Sequence, residues 1–514
     1  MSITSSHKVP PQYHGVLRSV PSPRHVVVVG GGLAGAAAAT VLAERGATCT
    51  VVEPLDYLGG RAGAWTDTLS DGTEFHQDRG FHAFFRQYYN LRNWLRRIDP
   101  SLGLLNELPD YPVIAPDGTT ETFAYVPTDP ILNFVGLING STTFKWRHLL
   151  RANIKVGLSM VAYQGEPTFA KWDQMTAKEY LDKVHLPRKA RAMLFDVFAH
   201  SFFNPEEEMS AAEMIQYFHF YFMGNPEGLA FDMLDQPLSE GIWAPFQTYL
   251  AARGVDFAMN TAVTSLEQRQ DGSATGSSWL AHLAPTGDGG RSTSIEADAV
   301  VLAANVHGVK DIVAASPGLG TAAWRSDIAA LEATSPYAVL RVWMDGDVGQ
   351  DRAPFVSVAD AGILDSVGLY HRLAEPEALW AVKTGGSVIE MHAYAVPKAL
   401  EAHPDRVEAQ LFEGLKGLYP EVRSLNEVDR RFHMMQDCPA FPVGQFDRRP
   451  RIETPVDSLV MAGDYCWVPI PCGLMERAVA SGFLAANCLL SRWNVRGETL
   501  WSVPPRGIFA SVLT

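Results

Sequence analysis

Residues 25–54 read "HVVVVGGGLAGAAAATVLAERGATCTVVEP", and from Val26 to Ala43 the only polar side chain is Thr40. A run of ~18 apolar residues approaches the length that spans a bilayer, so the stretch admits a membrane helix as well as a soluble fold. Its internal order decides. Four consecutive valines suit a parallel strand buried on both faces, because β-branched side chains are stiff at χ1. Gly30, Gly31 and Gly32 break that strand. The Ala/Leu-rich residues Leu33 to Arg45 then predict a helix that stops at Gly46. A second strand follows, Cys49 to Val52, and Glu53 closes it.

Strand, glycine turn, helix, strand and acid in that order are the parts of a dinucleotide site. Gly30 permits the tight turn, Gly32 lets a pyrophosphate approach the backbone, and Gly35 lets the helix pack close to the strand. The helix start at Leu33 and Ala34 offers free N–H groups and partial positive charge to the phosphates. Glu53 can accept from ribose hydroxyls, which favours FAD or NAD over NADP.

A chain of 514 residues with 47% hydrophobic and 19% charged residues is a globular protein of two or three domains. A net charge of −15 excludes a nucleic-acid partner, since phosphate backbones require a basic face. Five cysteines without a CxxC pair fit neither a disulfide framework nor a zinc site, and no metal is expected. They read as small buried hydrophobes in a reducing, cytoplasmic compartment. Residues 1–24 are polar and proline-bearing and are expected to be a disordered tail; residues 496–514 form a second tail. No other long apolar run avoids Gly, Pro or charge, so no spanning helix is expected, while surface contact with a membrane stays open.

After Glu53, "PLDYLGGRAGAW" (54–65) places Gly59, Gly60, Arg61, Gly63 and Ala64 where a chain passes close to the pyrophosphate and a guanidinium can reach it. Residues 109–130 alternate between turn signals and predict a hairpin. From about 145 to 235 the pattern is helical and aromatic, which suits core packing and also a tunnel for a long apolar molecule. Residues 241–266 read as a helix ending at Gly254 and two short strands, 270–292 as a Gly/Ser-rich loop, and "ADAVVL" as a buried strand. Residues 330–400, with "AVLRVWMD" and "SVIEMHAYAV", read as mixed strand and helix. In 459–490 a strand, the tight "AGD" and a helix opening near Gly473 repeat the βα pattern. There Gly463 and Asp464 can reach ribityl hydroxyls, and Gly473, Leu474 and Met475 offer N–H groups to an electron-rich ring edge. "GLGTAA" at 318–323 lacks a preceding strand and a closing acid and is set aside as a second nucleotide motif. Electrons must then leave a flavin for a diffusible acceptor, oxygen or a quinone.

Together the GxGxxG turn, Glu53, "GGRAG" and "AGD…GLMERAVASG" resemble the flavin amine oxidase and carotenoid desaturase superfamily. "GFHAFFRQYYNL" (80–91) and "FNPEEEMSA…GNPEGLAFDMLDQPLSEGIWAPF" (203–246) are similar to blocks of the plant-type phytoene and ζ-carotene desaturases. Length and "DRGFHAFFRQYYNLR" most resemble the bacterial carotenoid ring aromatases of the isorenieratene synthase type. Two departures stand out: Gly241 occupies a place where the desaturases carry a basic residue, and "DYCWVPIPCG" is richer in cysteine and proline than the aromatase pattern.

The resemblance implies an α/β fold, an FAD-binding Rossmann-type (glutathione-reductase-like) domain with a discontinuous α+β substrate domain. The division is 25–95, 238–313 and 428–495 for FAD, and 96–237 and 314–427 for substrate. It implies FAD in an extended pose, with Gly80, Phe81, His82 and Gly473 to Met475 near the isoalloxazine and the Val263 backbone beside the adenine. The implied reaction is hydride loss from an allylic C–H followed by proton loss; ring aromatisation adds a 1,2-methyl shift through a cation that aromatic faces can stabilise. His82, Asp437 and Glu476 are the candidate bases, with His82 equally a cofactor-orienting group. An acyclic carotene desaturase, an amine oxidase and a non-catalytic flavin or lipid-binding protein remain as alternatives. An apolar polyene substrate implies peripheral contact with the inner face of the cell membrane.

Overall fold

The computed structural model describes residues 6–129, 132–150, 152–269, 279–287, 290–508 and 510. Its nucleotide half is a five-stranded parallel sheet in the order Val255–Ala258, Thr48–Val52, His25–Val29, Ala299–Leu302, Leu459–Met461. The valine strand is central, and Val26 to Val29 are at most 3% exposed, as a strand covered on both faces requires. The chain moves from that strand to one side first and to the other later, so the order reverses at its carboxyl end, where open α/β sheets bind ligands.

The helix Leu33–Glu44 packs against the long helix Leu474–Arg492. Small residues set that distance: a Cβ on Gly482 would collide with the Ala34 carbonyl. Thr40, the one polar side chain of the apolar run, is buried but satisfied, donating to the Ala36 carbonyl at 2.7 Å and accepting from Trp94 Nε1 at 2.9 Å. Among the described residues no helix is long and apolar enough to cross a membrane.

A seven-stranded sheet carries the other half, in the order Glu427–Met435, Tyr337–Met344, Ser387–Ala393, Ser366–Leu369, Phe355–Val358, Val113–Ile114, Thr120–Glu121. The hairpin expected in 109–130 forms and joins this sheet through a parallel pairing of Val113–Ile114 with Phe355–Val358. Helices from Leu132 to Phe218 fill the remaining side, and residues 211–222 are buried throughout, with Tyr217, Phe218, Phe220, Tyr221 and Phe222 all inside.

Several expectations are corrected. The strand Glu427–Met435 pairs with Tyr337–Met344, so 428–435 does not belong with the nucleotide sheet. Phe84–Phe85 likewise pairs with Phe231–Met233. The supposed loop 270–292 contains the strand Trp279–Pro285, central in a three-stranded antiparallel sheet; residues 270–278 and 288–289 lie outside the described residues. Burial of Trp279, Ala281 and Leu283 on one face outweighs the flanking Gly/Ser composition. Nor are the ends free tails. His7–Lys8 pairs with Trp501–Ser502, and Val503 is fully buried, because Asn90 binds the Trp501 backbone in both directions. Residues 1–5, 509 and 511–514 of those tails lie outside the described residues.

Candidate active site

At the carboxyl end of the central strand Gly30 has φ +104°, a conformation that needs glycine, and a Cβ there would lie 2.7 Å from the Ala303 carbonyl. Gly35 packs against Gly30 so closely that a Cβ would collide with the Gly30 carbonyl. Gly32 differs. It caps the helix in extended conformation with no side chain capping the N–H groups, and the nearest atom to a Cβ would be the Gly59 carbonyl, 3.8 Å away. The first turn at Ala34 and Gly35 therefore faces an open cradle, its N–H groups without partners among the described residues, the arrangement a pyrophosphate occupies.

Two more elements close on the cradle. Glu53 accepts from the Gly31 N–H at 2.7 Å and from the Leu55 N–H at 3.0 Å, which holds the carboxylate beside the turn with lone pairs to spare for a ribose diol. Burial pushes its carboxyl up while those two N–H groups pull it down. The strand Thr261–Gln268 starts on Glu53, with the Thr261 N–H donating to the Glu53 carbonyl at 3.0 Å, so Val263 lies two residues from that contact. The Gly59 N–H donates to the Gly31 carbonyl at 2.9 Å, laying Gly59, Gly60 and Gly63 along the first glycine turn. Trp243 Nε1 donates to the Ala62 carbonyl at 2.6 Å and locks that loop. These donors, the open face at Gly32 and the pinned carboxylate fit FAD.

Arg61 Nη2 pairs with Asp464 Oδ1 at 2.6 Å, so two residues expected on different parts of the cofactor bind each other. His82 Nε2 lies 3.1 Å from the Arg61 carbonyl, and its buried Nδ1 has no partner among the described residues. Gly463 donates its N–H to Ser481 Oγ at 2.8 Å. Gly473 caps the long helix without a side-chain cap and faces Tyr217, whose Cε1 would be 2.5 Å from a Cβ. Leu474 follows at φ +49°, a left-handed backbone that costs a non-glycine residue about 1–3 kcal/mol and is typical of ligand clamps. Met475 continues the turn.

The other candidate bases are tied down. Glu476 accepts from the Asn90 and Leu91 N–H groups, each at 2.9 Å, and from Asn90 Nδ2 at 2.6 Å, so it holds the start of the helix Tyr89–Leu95. Burial pushes its carboxyl up to about 8 against the pull of those donors. Asp437 Oδ2 pairs with Arg79 Nη1 at 2.5 Å, while its buried Oδ1 has no partner among the described residues. Cys466 and Cys472 are fully buried and burial pushes both thiols up, so the cysteine-rich loop is inert packing. A side chain at Gly241 would press on the end of the Leu234 side chain, whose Cδ2 would lie 2.7 Å from its Cβ.

A cleft enclosing about 550 Å³, mouth included, opens beside Ala64, Phe81 and His82. Its polar wall is a group the sequence reading missed. Arg341, 1% exposed, binds Asp78 Oδ1 at 3.1 Å, Glu377 Oε1 at 3.2 Å and Glu390 Oε2 at 2.7 Å, and lies 4.2 Å from the centre of the Tyr370 ring. Glu390 Oε1 meets His392 Nε2 at 2.7 Å. Gly80, at φ +102°, brings the flavin-side segment onto this group, for a Cβ there would be 3.1 Å from His392. The signal was present: the apolar strands "YAVLRVWM" (337–344) and "SVIEMHA" (387–393) hold a single Arg and a single Glu, and these two are cross-strand neighbours. Phe81 stacks on Phe355 at 4.3 Å and meets Phe231 at 5.8 Å, which starts an aromatic path through Phe85 to Tyr221 and Tyr217.

Residues 33–490 match the family of flavin containing amine oxidoreductases. The chain belongs to that family. It is an FAD-dependent oxidoreductase. Among its relatives, the carotenoid phi-ring synthase of Streptomyces griseus is 43% identical over 94% of this chain and 90% of its own length. The carotenoid phi-ring synthase of Chlorobaculum tepidum is 28% identical over 95% of this chain and 92% of its own. Cyclohexylamine oxidase from Brevibacterium oxydans superposes with a TM-score of 0.62 at 17% identity, covering 91% of this chain and 99% of that one, which shows the shared fold.

Proposed function

We propose that this flavoenzyme desaturates the β-ionone ring of a carotenoid and aromatises it with a 1,2-methyl shift. The observation that carries the reading is the 43% identity, along nearly the whole chain, with a protein named for making the phi-ring. Bound FAD supplies the acceptor for hydride. The chain supplies the rest: Phe81 and Phe84 line the cleft where the cationic ring would sit, Phe231 and Phe355 pack behind Phe81, and this water-poor aromatic surface keeps the cation from being quenched. A diffusible oxidant, oxygen or a quinone, completes the cycle. In a β-carotene-producing bacterial host, expression of the chain is expected to yield a carotenoid with an aromatic ring, seen by absorption and mass. Unchanged β-carotene beside flavin-loaded protein would sink the reading, and a change in acyclic precursors instead would move it to an acyclic desaturase.

The polyene reaches the protein from a bilayer. Tyr125, Leu132, Trp146 and Leu150 are 39%, 54%, 48% and 88% exposed, and Trp146 bonds Asn139 of the helix Leu132–Gly140 while Tyr125 lies against Gly140. Between Asp129 and Glu166 there is no acidic residue, whereas Lys145, Arg147 and Lys155 are cationic, in a chain of net charge −15. Apolar side chains set among cations fit an anionic lipid surface such as the inner leaflet, where each cation contributes about 1 kcal/mol. Trp146→Glu with Leu150→Glu is expected to lower flotation with phosphatidylglycerol vesicles at least ~30-fold, since burial of each side chain contributes about 2–3 kcal/mol. Flotation equal to wild type refutes this docking face.

A further inference from the structure

We propose that Asp78 and Glu377, the two carboxyls that share Arg341 on the wall of the cleft, are its proton-accepting site, with Asp78 taking the proton that the cationic polyene ring loses. The inference rests on the ring-desaturating reading. In the step assigned to Asp78, the C–H bond next to the cationic carbon breaks, its electron pair becomes the new ring double bond, and the proton bonds to Asp78 Oδ2. Cation and carboxylate become a neutral polyene and a carboxylic acid, and no oxidant enters.

Four observations carry this. Asp78 stands two residues before Gly80 and lines the same cleft as Phe81 and His82, residues expected beside the isoalloxazine. Asp78 Oδ1 is occupied by Arg341 and by the Gly80 N–H at 3.1 Å, and Glu377 Oε1 by Arg341, but Asp78 Oδ2 and Glu377 Oε2 take no hydrogen bond among the described residues. Of the bases expected from the sequence, Glu476 is spent on the Asn90 and Leu91 N–H groups, Asp437 is paired with Arg79 and neither lines the cleft, while His82, which does, turns Nε2 to the Arg61 carbonyl and keeps its Nδ1, unpartnered among the described residues, buried rather than open to the cleft.

The fourth observation is charge. Three carboxylates on one buried guanidinium would leave an uncompensated charge of −2, which a low-dielectric interior resists by retaining a proton. Glu390 is not the holder: burial pushes it up, but Arg341 and His392 outweigh burial and hold it at about 2. The proton therefore falls to the pair that faces the cleft. Burial pushes the Asp78 carboxyl up, Arg341 pulls it down, Glu390 pushes it up again, and it stands above the usual carboxylate range; Glu377 shifts the same way for the same reasons. A base of raised proton affinity is better matched to proton transfer near neutral pH. Glu390, His392, Ser366 and Tyr394 form a chain, with contacts of 2.7, 2.7 and 2.8 Å, that anchors Arg341 from behind. These are positioning residues.

The groups facing Asp78 are Arg341 and Glu390 from the sheet, Glu377 and Tyr370 from the 370–384 segment, and His76 and His82 from its own segment. The test therefore compares wild type, Asp78→Asn, Asp78→Glu and Glu377→Gln, all flavin-loaded, with β-carotene in anaerobic phosphatidylglycerol vesicles over pH, following flavin bleaching first and then ring products after a quinone is added, since aromatising one ring removes four electrons and one flavin accepts two. Asp78→Asn is expected to yield at least ~100-fold less aromatic product for each flavin bleached than wild type and to lose the acid limb of the pH profile. Asp78→Glu should restore at least a tenth of the product, and Glu377→Gln should flatten the acid limb in part. Aromatic product from Asp78→Asn within about threefold of wild type, with an unchanged profile, overturns the proposal and leaves the reading standing. Should Asp78→Asn fail to take up flavin, wild-type product and profile from Glu377→Gln overturn it instead. A wild type that neither bleaches nor makes ring product removes the ring-desaturase reading, and the proposal with it.

Discussion

Gly32→Trp is expected to give a folded, colourless protein. Gly32 is extended rather than left-handed, so its backbone accepts any residue, and a Cβ there would meet nothing closer than the Gly59 carbonyl at 3.8 Å. The indole then fills the cradle in front of the first helical turn, where the pyrophosphate must sit. Losing those N–H contacts removes roughly 4 kcal/mol, about a thousandfold in affinity. Flavin absorbance per chain after purification reads the effect directly, and circular dichroism checks the fold. Gly35→Ala makes the contrast, because its Cβ would strike the Gly30 carbonyl and perturb the strand–helix packing itself. A Gly32→Trp protein that carries stoichiometric flavin would show that the cofactor lies elsewhere.

Arg341→Met is expected to destabilise the chain by about 3–5 kcal/mol at pH 8, since it strands buried carboxylates without their cation. The dependence on pH has a defined sign. In the wild type Glu390 lies at about 2, below its ordinary value, so its contribution is present above about 4.5 and is lost as the pH falls toward 2. Asp78 and Glu377 are raised, so theirs is present in acid and is lost as the pH rises. Without the guanidinium all three carboxyls move up, and the variant recovers as they protonate. Urea unfolding at pH 5 and pH 8 should therefore show a smaller deficit at pH 5. A deficit below about 1 kcal/mol at both pH values would mean that the guanidinium is not what holds the three carboxyls together.

The parts of the site that were legible in the sequence share one property: each works through backbone. Gly30, Gly32, Gly35, Gly59 and Gly473 matter because a side chain is missing, and the turn or helix start that needs it lies within a few residues. Glu53 could be assigned because the strand ending beside the glycine turn is local. The parts that misled are those whose partner is distant. Glu476 reads as a free acid until the chain brings Asn90 and Leu91 onto it from 386 and 385 residues away. Arg61 is paired with Asp464, a partner 403 residues away that no local pattern announces.

The sequence by itself determined the nucleotide half: a buried valine strand, a glycine turn and an alanine helix leave one way to satisfy backbone and burial, and those constraints act over about thirty residues. Tertiary structure decided the rest. It moved the strand 427–435 into the substrate sheet, tied the two chain ends together, and set one arginine among three carboxylates from different segments. A buried charge is tolerated only where distant partners pay its desolvation, and which residues become those partners is settled by sheet register rather than by local pattern.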